Sequence, residues 1–201
     1  MAKRNTIRAY DVPAYYHVYN RGAGKAKIFL DAADKAKFMS LLARYLDPDI
    51  TSVRGDGLFF EKSNAKLVAY CLMGNHFHLF LYQDDDVDDI RNLISSVMTS
   101  YSMYFNLRHK RSGRLFEGPF RAVRITDEGH FVHLSRYIHL NPRTYETYKW
   151  SSLPEYTGRR QTSWVHFEYV TDMSIDQYLA FLGDYSERSV ALKDYKQDYD
   201  I

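Results

Sequence analysis

The sequence predicts an α+β fold, an antiparallel sheet with helices packed on one of its faces. Three observations carry that expectation. Two apolar runs, "KLVAYCLM" and "HFHLFLY", flank a Gly74-Asn75 pair, the pattern of a hairpin. Two stretches, after Asp31 and after Asp86, repeat their apolar residues at helical spacing. The order strand, helix, hairpin, helix, strand, helix uses hairpin rather than crossover connections in its middle, as an antiparallel sheet requires.

Tyr15 to Asn20, "YYHVYN", is aromatic and β-branched and runs into Arg21-Gly22-Ala23-Gly24, so it reads as a strand ending in a turn. In "DAADKAKFMSLLARYLDPD", Phe38, Leu42 and Tyr45 fall at helical spacing behind an Asp31 cap, and Asp47-Pro48 ends the pattern. Turn residues on either side of "LFFEK" suggest an extra hairpin within Thr51 to Lys66. His76 and His78 open the second strand of the main hairpin. From Asp86 to about His109 a long helix carries Ile90, Ile94, Val97, Tyr101 and Tyr104 as one stripe, with an acidic start and a basic end that complement its dipole. "FRAVRI" reads as a short strand, followed by a helix that begins near Thr126 or Asp127 and stops by Asn141-Pro142. Beyond Gly158 the character changes to a peripheral, partly helical tail, which divides the chain into a domain over 1–158 and an appendage over 159–201.

The composition sets bounds on function. At 201 residues with 45% hydrophobic and 26% charged side chains, the chain is an ordinary globular one rather than disordered or fibrous. A net charge of +2 is too small to argue for nucleic acid, so that argument rests on how basic residues cluster. The single Cys71 suits a reducing compartment and a buried role. With no signal-peptide core and no long apolar span, the reading is a cytoplasmic protein with no membrane association.

"GNHFHLFL" holds the pattern of greatest chemical interest. On a strand, His76 and His78 project to one face about 6.6 to 7 Å apart, while Phe77, Leu79 and Leu81 point the other way. Two adjacent imidazoles are either half-exposed residues on a solvated face or two ligands of one divalent ion. In "HFVHLSRYIHLNP", His133, Tyr137 and Asn141 fall on one helical stripe, and the Asn141 amide offers a third, oxygen ligand. A phenol beside a metal that grips a phosphate is a nucleophile, because the cation stabilises phenolate. The plainer account of Tyr137 is an aromatic packed on the sheet. His133, one turn earlier, is an accessory candidate for proton relay, set against simple packing of the helix face.

"AYCLMGNHFHLFL", "SGRLFEGPFRAVRI", "YIHLNPRTY" and "KWSSLPEY", in that order, resemble the single-tyrosine HUH transposases, in particular the REP-associated tyrosine transposases and their insertion-sequence relatives. The resemblance spans roughly Pro13 to Gly158. It implies a ferredoxin-like HUH fold. His76 and His78 match the two metal-binding histidines, Tyr137 the nucleophile and Asn141 the third ligand four residues on. It also implies Mg²⁺ or Mn²⁺ as cofactor and cleavage of single-stranded, hairpin-forming DNA through a 5′-phosphotyrosine link, with a free 3′-hydroxyl and later rejoining. Where relatives often carry Arg, this chain has Pro119. Insertion-sequence relatives pair up as homodimers and share active sites whereas REP-associated ones can act alone, so the resemblance leaves oligomeric state open.

Single-stranded DNA needs a cationic track with aromatic platforms. Arg108, Lys110, Arg111 and Arg114, then Phe116, Phe120, Arg121 and Arg124, offer both, and Arg21, Asn20, Lys3 and Arg4 are further candidates. The alternative account is a solvated basic loop at a helix end. Tyr101 and Tyr104 are rival nucleophiles, but both lie on an apolar stripe where packing explains them. Two other functions compete: a scaffold that holds DNA hairpins without cutting them, and a metal phosphodiesterase that uses water instead of tyrosine.

Overall fold

Strand β1 (Ala14–Arg21) forms one of the two inner strands of a four-stranded antiparallel sheet ordered β2-β3-β1-β4, with β2 (Lys66–Leu72), β3 (His76–Gln83) and β4 (Arg121–Ile125). The structure is a computed structural model that describes residues 10–51, 60–127 and 129–184. The expected hairpin is β2 and β3, joined at Gly74-Asn75. Register in β1 and β3 sets Tyr19 opposite His78 and Arg21 opposite His76. Alternation then places His17, Tyr19 and Arg21 on the same face as His76, His78 and Phe80.

The opposite face carries Tyr16, Val18, Phe77, Leu79 and Leu81, and it packs under α1 (Ala32–Leu46) and α2 (Asp89–Arg108). Asp31 caps α1, its side chain accepting from the Asp34 N–H at 3.0 Å. Leu41, Leu42, Ile94, Val97 and Tyr101 are buried in that layer, each fully buried aliphatic contributing roughly 1.5–3 kcal/mol. Tyr101 donates to the Ile28 carbonyl at 2.5 Å, and the half-buried Tyr104 packs against it with ring centroids 6.0 Å apart, so both rival tyrosines lie with the core across the sheet from the histidines.

The histidine face is not open, contrary to expectation. Helix α3 (Gly129–His139) lies across it with Leu134, Tyr137 and Ile138 buried, because an apolar stripe at i, i+3 and i+4 must find a partner surface. Asp127 receives the first N–H of this helix, Gly129 N, at 2.8 Å. The segment after Gly158 also reaches the core. Val165 bridges to Leu67 of β2, and α5 (Ile175–Gly183), opened by a Ser174–Gln177 capping box, buries Tyr178 and Leu182 with α3. Between them lies the short α4 (Leu153–Tyr156). Of the expected extra hairpin, 52–59 lie outside the described residues, and 60–65 form no strand. Among the described residues, no helix is long and apolar enough to cross a membrane.

Candidate active site

His76 opens β3 at the rim of a cleft of about 240 Å³ whose walls include Arg21, Lys25, Asn75, Glu117 and Arg121, with His78 in its floor. The hairpin tip that aims His76 is pinned by backbone bonds: Gly22 N donates to Asn75 O at 2.9 Å, and Ile28 N and Phe29 N both donate to Gly74 O at 3.0 Å. Asn75 does more than turn the chain. Its amide nitrogen donates to the Lys25 carbonyl at 3.3 Å, which leaves its oxygen to accept from His76 Nδ1 at 2.7 Å. His76 therefore carries its proton on Nδ1 and presents a lone pair on Nε2. That lone pair faces Asn141 Oδ1 at 3.3 Å, so two acceptors meet. Either a cation lies between them or the amide turns so that its NH₂ donates.

His78 is completely buried. Its Nδ1 lies 2.9 Å from His17 Nε2, and its Nε2 is buried with no hydrogen-bond partner. The His76 and His78 rings stand edge-to-face with centroids 5.1 Å apart. Burial holds both below the usual histidine range. For His76 the Asn141 side chain opposes that shift and Arg21 adds to it, and for His78 the neighbouring His17 and His76 add to it. Both rings are neutral at pH 7, the form in which imidazole binds metal. Among the described residues, no group of three or more His, Cys, Asp and Glu side chains could hold a metal, so the set here is two imidazoles and an amide oxygen.

Tyr137 comes to the same place from α3. Its ring meets His78 edge-on at 5.4 Å and His17 at 6.1 Å, and the residue is 2% exposed. Asn141 lies just past the end of the helix rather than on its stripe, yet still reaches His76. His133 turns away: its Nδ1 accepts from Arg136 at 2.8 Å and its ring packs on Phe181.

The predicted basic residues separate into groups. Arg21 and Arg121 line the cleft, Arg21 forked onto Glu117 and Arg121 over the Tyr19 ring at 5.9 Å. Lys110, Arg111 and Arg114 are exposed on the loop after α2, and Arg111 lies over Phe105. Arg108 grips Asp31 at 2.7 Å and also Asp34, and Arg124 pairs with Asp11 at 2.6 Å on the sheet's other face. Lys3 and Arg4 lie outside the described residues. Sequence reading missed Lys25, Glu117, the anchoring role of Asn75 and, above all, His17. A strand pairing that set "YHVY" beside "HFH" would have revealed His17, but register is not written in either segment alone.

Fold and site together define an antiparallel α+β scaffold with a two-histidine, one-amide cluster beside a tyrosine. Among solved structures, the chain is similar to that of a REP-associated tyrosine transposase bound to a REP hairpin, with a TM-score of 0.58 at 13% identity over 87% of this chain and 96% of that one. A putative transposase from Deinococcus radiodurans R1 aligns with a TM-score of 0.40 at 12% identity over 69% of this chain and 95% of that one. The first likeness shows a tyrosine-transposase fold. No protein-family model and no curated protein matches the chain.

Proposed function

We propose that this chain cleaves and rejoins single-stranded DNA near hairpins by attack of Tyr137 on a phosphodiester. The observation that carries the reading is the meeting of His76 Nε2 and Asn141 Oδ1 at 3.3 Å, two acceptors aimed at one point, with the unpartnered Nε2 of His78 and the Tyr137 ring beside them. The Asn141 oxygen suits Mg²⁺ or Mn²⁺, and the two imidazoles favour Mn²⁺ as the softer of the pair; either ion when bound would act as a Lewis acid on the scissile phosphate. His76, His78 and Asn141 hold the site in register with α3, and Arg21, Lys25 and Arg121 draw the strand into the cleft. The Tyr137 oxygen bonds to phosphorus as the bond to the 3′ oxygen breaks, and the phenol proton passes to that departing oxygen, leaving a 5′-phosphotyrosine and a free 3′-hydroxyl. The phosphodiester energy is retained, so another 3′-hydroxyl can reverse the step and join new ends. Because Tyr137 is buried, α3 must shift outward for the phenol to reach a phosphate.

The test is to incubate the protein and Mn²⁺ with labelled single-stranded hairpins taken from the DNA flanking its gene. A denaturation-resistant adduct is expected, lost in Tyr137→Phe and kept in Tyr101→Phe and Tyr104→Phe. The burial of Tyr137 favours a second reading, a protein that holds hairpins without cutting them. It predicts no adduct, and binding without metal that survives loss of both histidines.

A further inference from the structure

His17 forms a fully buried pair with His78 and takes no direct part in the proposed cleavage. Two imidazoles 2.9 Å apart in a sealed layer share one proton between Nε2 of the first and Nδ1 of the second. Only two neutral arrangements are open. In one, His17 donates and His78 keeps its own proton on Nε2, a buried N–H with no acceptor. In the other, His78 donates from Nδ1 and its Nε2 is a bare lone pair, while His17 keeps its own proton on Nδ1, which is buried in the same way. Each arrangement leaves one buried N–H, so the pair by itself does not choose; an ion bound through His78 Nε2 requires the second, because only there is that nitrogen a lone pair.

We propose that His17 is a positioning residue, whose Nε2 accepts the His78 Nδ1–H and so fixes His78 in the tautomer and rotation that turn Nε2 toward the cleft. This rests on the metal reading above. A ring that binds an ion through one nitrogen is oriented by what its other nitrogen donates to. For His76 the acceptor is a side-chain amide from the hairpin tip; for His78 it is an imidazole from the adjacent strand. The placement follows from the sheet. His17 lies two residues before Tyr19, the cross-strand partner of His78, and therefore sits on the same face along the diagonal. The Tyr137 ring closes on both imidazoles from α3, at 6.1 Å from His17 and 5.4 Å from His78, so the pair also forms the surface on which that phenol rests.

The first experiment reads the tautomers in the wild-type protein loaded with Mg²⁺, by long-range ¹H–¹⁵N correlation of the histidine rings. His17 protonated on Nδ1 and bare on Nε2, with His78 protonated on Nδ1, is expected. The reverse assignment overturns the proposal whether or not any variant folds. The second is calorimetric titration with Mn²⁺. His17→Phe keeps an aromatic ring and removes the acceptor, and is expected to weaken Mn²⁺ binding 10- to 100-fold. His17→Gln restores an acceptor near the Nε2 position and is expected to recover most of that loss. Binding that is intact in His17→Phe but lost in His78→Ala overturns the role of His17 alone. Wild-type protein that takes no Mn²⁺ overturns the metal reading and this one with it.

Discussion

Single atoms decide how the site is aimed. A Cβ on Gly22 would lie 2.0 Å from the Ala26 carbonyl oxygen, a backbone atom that cannot swing aside. The same residue's N–H holds Asn75 O, and Asn75 in turn fixes the His76 proton. Gly22→Ala should therefore cost roughly 1–3 kcal/mol of stability, read from urea unfolding, and weaken Mn²⁺ binding as the hairpin tip turns. A variant as stable as wild type would show that the loop can absorb the methyl group. The histidine pair and its shared face were legible in "GNHFHLFL" because strand alternation needs nothing beyond the local pattern. The roles of Asn75 and His17 were not legible, since each depends on a carbonyl or a ring brought in from a distant segment.

At the scale of elements, a basic residue means something different at each place. Arg108 ends α2, but its guanidinium reaches back to the N-terminus of α1, where Asp31 caps the helix and buried Asp34 accepts from Leu30 N at 2.8 Å and lies 3.0 Å from His109 Nε2. The Asp31 carboxyl is held well below its usual range, first by Arg108 and then by the Asp34 N–H. Arg108→Gln should lower the melting temperature and leave the salt dependence of DNA binding unchanged. Arg121→Gln should do the reverse, flattening the slope of log K against log salt by about 0.7, one phosphate contact on a single strand. Equal salt slopes for the two variants would return Arg108 to the DNA track. Helices and strands were recovered from periodicity and caps, which are local; the sequence-level reading of "RHKRSGR" as one basic cluster failed to separate a helix–helix clamp from free cations. That distinction needs the packing angle of α1 on α2.

Over the whole molecule, neutral histidines buried on the α3 side of the sheet couple stability to pH. His17 and His139 are each pushed down to about 3 by burial, from an ordinary value near 6.5. His139 is held by Tyr178 at 2.8 Å and Ser152 at 2.7 Å, tying α3 to α5 and α4. Below 6.5 the unfolded chain takes up protons that the folded one refuses, so stability is full above that value and falls as pH drops toward 3. Each such ring contributes a slope of at most about 1.4 kcal/mol per pH unit. Urea unfolding at pH 7 and pH 5 should show the loss, and His139→Gln should make it shallower; parallel curves for the two proteins would refute the assignment. The covering of both sheet faces makes this coupling large, and it was the part of the architecture that periodicity alone misjudged.

The sequence by itself determined the α+β class, the β2–β3 hairpin, the helical segments and the two histidines on one face, because turn residues and the periods of 2 and 3.6 are properties of short segments. Only the tertiary structure decided that α3 closes over that face, that Asn141 meets His76 from beyond the helix end, that His17 stands behind His78, and that Arg108 braces two helices. Each of these depends on strand register or helix docking, in which residues far apart in the chain are set side by side by burial summed over the whole core.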